Sequence, residues 1–480
     1  MLYTLGLQFG SEPGAKLFHW GCGWLTAAAI GVWSARLGWE GQRVPAWVGP
    51  LASALFITMP VVLWELGTSY VDLGTALFQF LALVLLLESV ERDGTGWRLR
   101  TPGLAAAAGV LSGFALGTKY TALLQFGLLG IGLLCGLLRS PPLARAGWLR
   151  GLLWFGGLGV VVGAPWYVKN WLWVHNPVYP FFFSLFPQSF SWTRHAEIAY
   201  QTEQRSFGMG RDLGAALGLF WNLGLHARDF YANLRTLAGD RFGSVGVAWA
   251  AAAPLLVWIP LRRWPWPARA CLAYAVGSLA AWFLLSHQIR YLIPVFAPLA
   301  VVTALLPVLL PGSLLRGSLA ACLGASLLLN VKMHQELFQD SLRVVTGQVS
   351  REQFLDAYLP GLYEASRYVN GLPTNVRVAL YQETRGYYFD RRYFWANPLQ
   401  HNWIPYDTLP NGRALAGQLR RFGITHVLIN YDFCRGVEGA SWYRLVMDGV
   451  RSGVFRESFR SRVGEPERRG VFIYELEPAS

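Results

Sequence analysis

Glu65, Asp72, Lys119, Lys169, His287 and Arg290 stand at the ends of long apolar runs, next to Tyr, Asn and Pro. Ionisable groups in such runs are costly unless they serve a site, and sparse cations near acids suit an anionic substrate. Arg290 in SHQIRYLIP offers a planar fork that grips phosphate through two parallel hydrogen bonds, with His287 as a further donor and Tyr291 beside it. Lys119 and Tyr120 lie in GTKY between two apolar runs with almost no loop, which favours a cavity role over simple snorkelling to lipid phosphates. Lys169 and Asn170 in PWYVKNW are candidate donors to a head group, although Pro, Asn and the aromatic run NPVYPFFF also serve as an exit turn and interfacial wall. Glu65 and Asp72 in WELGTSYVD are two carboxylates within eight positions beside a Tyr, which need an aqueous cavity or partners. A helix start capped by Ser69 or Asp72 is the competing explanation for that pair.

The elements that must position these residues are apolar spans. Windows rich in Leu, Ala, Gly, Phe and Trp fall at 15–35, 48–66, 70–88, 103–118, 121–138, 148–166, 244–261, 270–286, 291–310 and 315–331, about ten in all. Arg36, Arg43, Arg92, Arg98, Arg100, Arg139, Arg145, Arg150, Arg262, Arg263, Arg269 and Arg316 all fall in the loops of one side. That side is cytoplasmic by the positive-inside rule, so the six residues above face outward. Small residues such as Gly113 and Gly117, or Gly127, Gly130 and Gly132, are read as allowing close helix packing.

Composition agrees with a multi-pass protein of the inner membrane: 480 residues, 53% hydrophobic and 14% charged. The net charge of +13 is spread over short loops instead of a basic stripe, which argues against a nucleic-acid partner. Five cysteines with no CxxC or Cys/His grouping give no disulfide framework and no zinc site. No cofactor signature is present, and the residues leave a divalent metal requirement open.

Residues 1–331 therefore read as the transmembrane domain, with a long outer stretch at 167–243. Within that stretch Asp212–His226 has a capping Asp and helical spacing. Residues 332–480 read as a small extracytoplasmic α/β domain, Rossmann-like in its alternation but lacking GxGxxG. Its expected elements are helices at 351–370, 414–422 and 442–450 and strands at 376–381, 425–430 and 471–476. Residues 1–14 carry no signal-peptide pattern, yet the sidedness sets them outside, so a preceding span and outer loop are expected upstream.

The series WELGTSYVD, GFALGTKYTAL, APWYVKNW with NPVYPFFF, HQIRYLIP, and a tail holding RGYYFD and THVLINYD resembles integral-membrane glycosyltransferases of the GT-C fold. The nearest likeness is to the bacterial dolichyl-phosphate-mannose-protein mannosyltransferase-like group, glycosyltransferase family 39 in the broad sense. The resemblance implies a polyprenyl-phosphate sugar donor, an acceptor glycan, lipid or protein, and transfer on the outer face, usually with inversion. It also implies that Arg290, with His287 and Lys119, holds the lipid phosphate. Asp72, with Glu65, would take the second acidic position of the cavity. The family's leading catalytic Asp lies in a first outer loop, upstream of where this chain begins, and Glu12 reads as an ordinary helix-start residue. A non-catalytic or truncated relative acting in lipid-linked saccharide binding or transport is the alternative.

Overall fold

The computed structural model describes residues 2–8, 12–39, 41–93, 96–182, 185–186, 194–230, 245–398, 401, 403–434, 436–461 and 470–477. Positions 183–184, 187–193 and 231–243 of the expected outer stretch thus lie outside the described residues, as does the first residue of the window at 244–261. The chain divides into two compact units. One is Met1–Tyr179 with Thr202–Leu337, and the other is Pro180–Gln201 with Phe338–Ser480.

The first unit is helical. In order it contains α1 (Leu2–Gln8), α2 (Glu12–Ser34), α3 (Val48–Ile57), α4 (Pro60–Leu66), α5 (Asp72–Glu88), α6 (Pro102–Thr118), α7 (Ala122–Arg139) and α8 (Pro142–Val174). Small hairpins β1–β2 (Gly38–Trp39, Gln42–Arg43) and β3–β4 (Val90–Asp93, Gly96–Leu99) join helices on the arginine-bearing side. After α9 (Arg194–Ser206), which belongs to the second unit up to Gln201, come the short helices α10 (Leu213–Leu217), α11 (Leu219–Leu225) and α12 (Ala227–Phe230). Asp212 caps α10, accepting from the Ala215 N–H at 2.8 Å. The bundle closes with α13 (Val247–Trp258), α14 (Trp266–Leu285), α15 (Ile293–Leu309) and α16 (Ser313–Val345), the last continuing into the second unit from Phe338.

Helix thus occupies each of the ten apolar windows, with three departures, one being that window 315–331 runs on as α16 to Val345, past the domain boundary expected at 332. Window 48–66 is a broken pair bent by 67°, because Pro60 at the start of α4 cannot donate back into α3. Window 148–166 extends to Val174: Pro165 lies inside α8, and the helix stops only at His175, whose φ is +54°. By length and composition five helices can cross a bilayer, or six if the bent pair counts as one span. α5 and α6, at 17 residues each, reach only ~25 Å of the ~30 Å apolar core.

α15 is apolar all round and buried along most of its length, as a helix at the centre of a bundle must be. α6 and α8 meet most closely. A Cβ on Gly109 would fall 2.5 Å from the Phe155 carbonyl oxygen, and one on Gly113 would fall 2.9 Å from that of Gly159. Gly109 and Gly113 on one helix and Gly159 and Gly163 on the other therefore form the small-residue contact. Gly117, Gly127 and Gly132 have nothing within 4 Å of a built Cβ, so those expected packing glycines do not serve in it.

The second unit carries a five-stranded sheet ordered β6 (Arg392–Trp395), β5 (Arg377–Tyr381), β7 (His426–Asn430), β9 (Val471–Leu476), β8 (Phe455–Arg460). β6, β5 and β7 are parallel, whereas β9 and β8 run antiparallel, so the sheet is mixed. Alternate strand residues face opposite layers. Val378, Leu380, Leu428 and Ile473 pack with Leu362 and Val369 of α18 (Leu362–Gly371). Tyr381, Val427, Ile429 and Phe472 pack with α19 (Gly412–Arg421) and α20 (Ser441–Arg451). The helix expected at 351–370 is interrupted at Leu359–Gly361, between α17 (Arg351–Tyr358) and α18: Pro360 cannot donate and Gly361 has φ +71°. The two strands that hydropathy missed, β6 and β8, are the sheet's edges, where polar residues hide the pattern.

Candidate functional site

Three chain reversals at one end of the bundle converge on the polar cluster. Between α4 and α5 lie Thr68 and Tyr70, with Glu65 just before them and Asp72 in the first turn of α5, where the helix dipole favours a carboxylate. α6 stops at Thr118, and Lys119 is extended, which turns its side chain towards α5. A 3₁₀ turn, Ile289–Leu292, presents Arg290 and Tyr291 at the head of α15.

Lys119 Nζ donates to Asp72 Oδ1, forming an ion pair whose side chains are 17% and 2% exposed. The same ammonium sits 3.9 Å from the centroid of the Tyr291 ring. The Arg290 guanidinium carbon lies 5.4 Å from that ring and 4.6 Å from the ring of Tyr70, while Arg290 Nε donates to Gln288 Oε1 at 3.1 Å. Tyr291 thus attracts both cations through its π face. Glu65 is fully buried, within electrostatic reach of Asp72, Arg290 and Lys119. Glu65 Oε1 and Asp72 Oδ2 have no hydrogen-bond partner among the described residues. Two orphaned carboxylate oxygens beside two cations are uncommon in a merely structural cluster.

His19 of α2, passed over in the sequence, fixes this turn. Its Nδ1 donates to the carbonyls of Glu65 (3.0 Å) and Thr68 (3.2 Å), and its Nε2 accepts the Leu73 N–H at 3.0 Å. With both ring nitrogens so engaged the imidazole is neutral, and its 3.7 Å approach to Glu65 Oε2 is not an ion pair. A lone His in an apolar window was the available signal.

Tyr120 forms an adjoining network. Its hydroxyl accepts from Asn170 Nδ2 at 2.7 Å and Trp166 Nε1 at 3.2 Å and donates to the Tyr179 carbonyl at 2.7 Å. The glycine contact between α6 and α8 sets this register. Lys169, one position before Asn170, points elsewhere: its ammonium lies 4.2 and 4.7 Å from the rings of Trp166 and Trp173. His287 packs 5.0 Å from both Trp282 and Phe283, with Nε2 donating to the Phe283 carbonyl at 2.7 Å. Gly208, at φ +92°, abuts His287 so closely that a Cβ there would meet Nδ1 at 1.9 Å. The structure therefore unites Glu65, Asp72, Lys119, Arg290 and Tyr291, places Tyr120 and Asn170 beside them, and leaves Lys169 and His287 in other surroundings.

In the second unit, Glu383 just past β5 was also missed. Its carboxylate accepts from the Thr384 and Arg385 N–H groups, from Arg385 Nε (2.8 Å) and Nη2 (2.7 Å), and from Asn430 Nδ2 (2.8 Å). Burial alone would raise its pKa, but the Arg385 hydrogen bonds and charge, with Asn430, outweigh burial and hold it below the usual carboxylate value. Among the described residues, no three His, Cys, Asp or Glu stand together as metal ligands.

No protein-family model and no curated protein matches the chain. Among solved structures it is similar to ArnT from Cupriavidus metallidurans bound to undecaprenyl phosphate. The TM-score is 0.58 at 15% identity, over 98% of this chain and 86% of that one. It is also similar to the oligosaccharyltransferase AglB from Archaeoglobus fulgidus in complex with an inhibitory peptide and a dolichol-phosphate. Here the TM-score is 0.45 at 13% identity, over 97% of this chain and 62% of that one. The fold is that of the GT-C integral-membrane glycosyltransferases, as the motif resemblance implied. The particular fold shared across most of both chains is that of ArnT.

Proposed function

We propose that the chain is a membrane glycosyltransferase that moves a sugar from a polyprenyl phosphate to an acceptor on the outer face of the inner membrane. The proposal includes about ten spans and an extracytoplasmic C-terminal unit. The observation that carries it is the juxtaposition of the Lys119–Asp72 pair with Arg290 across Tyr291, beside the buried carboxylate of Glu65. The likeness to ArnT, whose structure holds undecaprenyl phosphate, supports it at the level of the fold.

In this reading Arg290 grips the donor phosphate. As the acceptor hydroxyl attacks the anomeric carbon, the bond from that carbon to the phosphate oxygen breaks, and charge grows on the departing phosphate beside Arg290 and Lys119. The hydroxyl proton passes to a carboxylate, for which Asp72 and Glu65 are the candidates here. Tyr291 and Tyr70 hold the guanidinium in place, and Tyr120 with Asn170 shapes the adjoining wall. Lys169 and His287 are assigned to the surroundings of the donor, not to the phosphate itself.

The test is Arg290→Ala in the full chain. Losing a charge-assisted phosphate bond should weaken undecaprenyl-phosphate binding roughly 10- to 150-fold while leaving thermal stability nearly unchanged. Unaltered affinity would remove Arg290 from this role, and labelling of a cysteine at position 290 from the cytosolic side would overturn the assigned face.

A further inference from the structure

The foot of α15, at the other end of that helix from Arg290, borders a groove. This groove of about 680 Å³ opens between the start of α3, the end of α15 and the first turns of α16. Trp47, Leu51, Val308, Leu323 and Leu327 make its walls apolar, and Arg316 is the charged residue among those lining it. Gly317 and Gly324 face the groove with nothing within 4 Å of where a Cβ would stand, so the α16 side of the trough is open. The site is distinct from the polar cluster, because α15 separates Arg290 at its head from Val308 at its foot by ~25 Å.

Arg316 is set for a ligand beyond the protein. Its Nε donates to the Leu310 carbonyl at 2.8 Å, which anchors the guanidinium at the foot of α15. Its Nη nitrogens make no hydrogen bond among the described residues. A planar fork with its Nη1/Nη2 edge free over an apolar trough matches a phosphodiester with its chain lying along the helices. The sequence sets Arg36, Arg43, Arg262, Arg263 and Arg269 on the same side of the membrane as Arg316, so this end favours an anionic leaflet.

We propose that this groove seats one anionic phospholipid, with its phosphate on Arg316 and an acyl chain between α3, α15 and α16. The occupant follows from the walls and the charge together. An apolar peptide helix would leave Arg316 unpaired, and a soluble anion would leave the trough unfilled.

The experiment uses the full chain in nanodiscs of phosphatidylcholine containing spin-labelled phosphatidylglycerol or spin-labelled phosphatidylcholine as probe. The motionally restricted fraction should favour phosphatidylglycerol about fivefold, the preference one arginine exerts at a bilayer surface. Arg316→Gln should bring the two lipids to near parity, while Arg316→Lys should keep most of the preference. Gly324→Leu, which grows a side chain into the trough and leaves the charge alone, should remove the restricted component, with an unchanged circular-dichroism spectrum showing that the bundle is intact. Equal restriction of the two lipids in the unmodified chain overturns the proposal, as does a preference that survives both Arg316→Gln and Gly324→Leu. Displacement of the labelled lipid by millimolar inorganic phosphate alone also overturns it, since the chain would then contribute nothing. If Gly324→Leu changes the oligomeric state by light scattering and leaves lipid preference intact, a second copy occupies the groove and the proposal fails.

Discussion

The Lys119–Asp72 pair allows a quantitative test of the candidate site. Asp72→Asn keeps the shape of the side chain but leaves a nearly buried ammonium without its counter-charge, and Lys119→Met leaves a carboxylate that is only 2% exposed. Breaking a buried pair on one side costs about 3–5 kcal/mol, because the remaining ion is uncompensated. The 17% exposure of Lys119 lets water reach its ammonium, so Asp72→Asn should fall near the lower limit, about 3 kcal/mol, and Lys119→Met nearer the upper. The double variant removes both charges together and should cost far less than the sum, since an apolar or neutral replacement of a whole buried pair is often close to neutral. The coupling should therefore be at least ~2 kcal/mol. Unfolding of the full chain in mixed micelles, followed by circular dichroism across a denaturing-detergent series, reads all three variants on one scale. Additivity within ~0.5 kcal/mol would refute the reasoning, for it would mean that the two charges do not depend on each other.

Two further outcomes follow from the geometry. Tyr120→Phe removes the oxygen that serves Asn170, Trp166 and the Tyr179 carbonyl, and should cost roughly 1–3 kcal/mol in the same assay, most of it from stranding the buried Asn170 amide. In the second unit the folded Glu383 carboxyl titrates below its unfolded value, so its stabilisation is complete above the unfolded pKa and is lost as pH falls through the folded one. Glu383→Gln should accordingly cost roughly 1.5–3 kcal/mol at neutral pH and flatten the acid limb of the stability profile, measured by amide exchange of β5 and β7 between pH 7 and pH 3. An unchanged acid limb in Glu383→Gln would show that the carboxylate is not the group whose protonation loosens the sheet.

The apolar windows, their order and the polar residues at their ends were all legible in the chain, because a helix kept from water on every side, by lipid or by its neighbours, leaves an unbroken hydrophobic run that needs no partner to be recognised. The central strands β5, β7 and β9 were legible for the same reason. Edge strands β6 and β8 were not, since exposed residues such as Arg392 and Glu457 erase the signal. Which charges would meet was decided only by tertiary packing. Nothing in the spacing of Asp72 and Lys119, 47 positions apart, says that they pair, or that Tyr291 lies near both Lys119 and Arg290. His19 could not be assigned from its own neighbours because its partners are backbone groups of another helix's turn. His287, promising beside Arg290, turned into an aromatic wall once Gly208 closed on it, an approach set by a positive-φ turn far away in sequence. Sequence composition sets which segments leave water, and side-chain reach across close-packed helices sets which of their polar ends become a site.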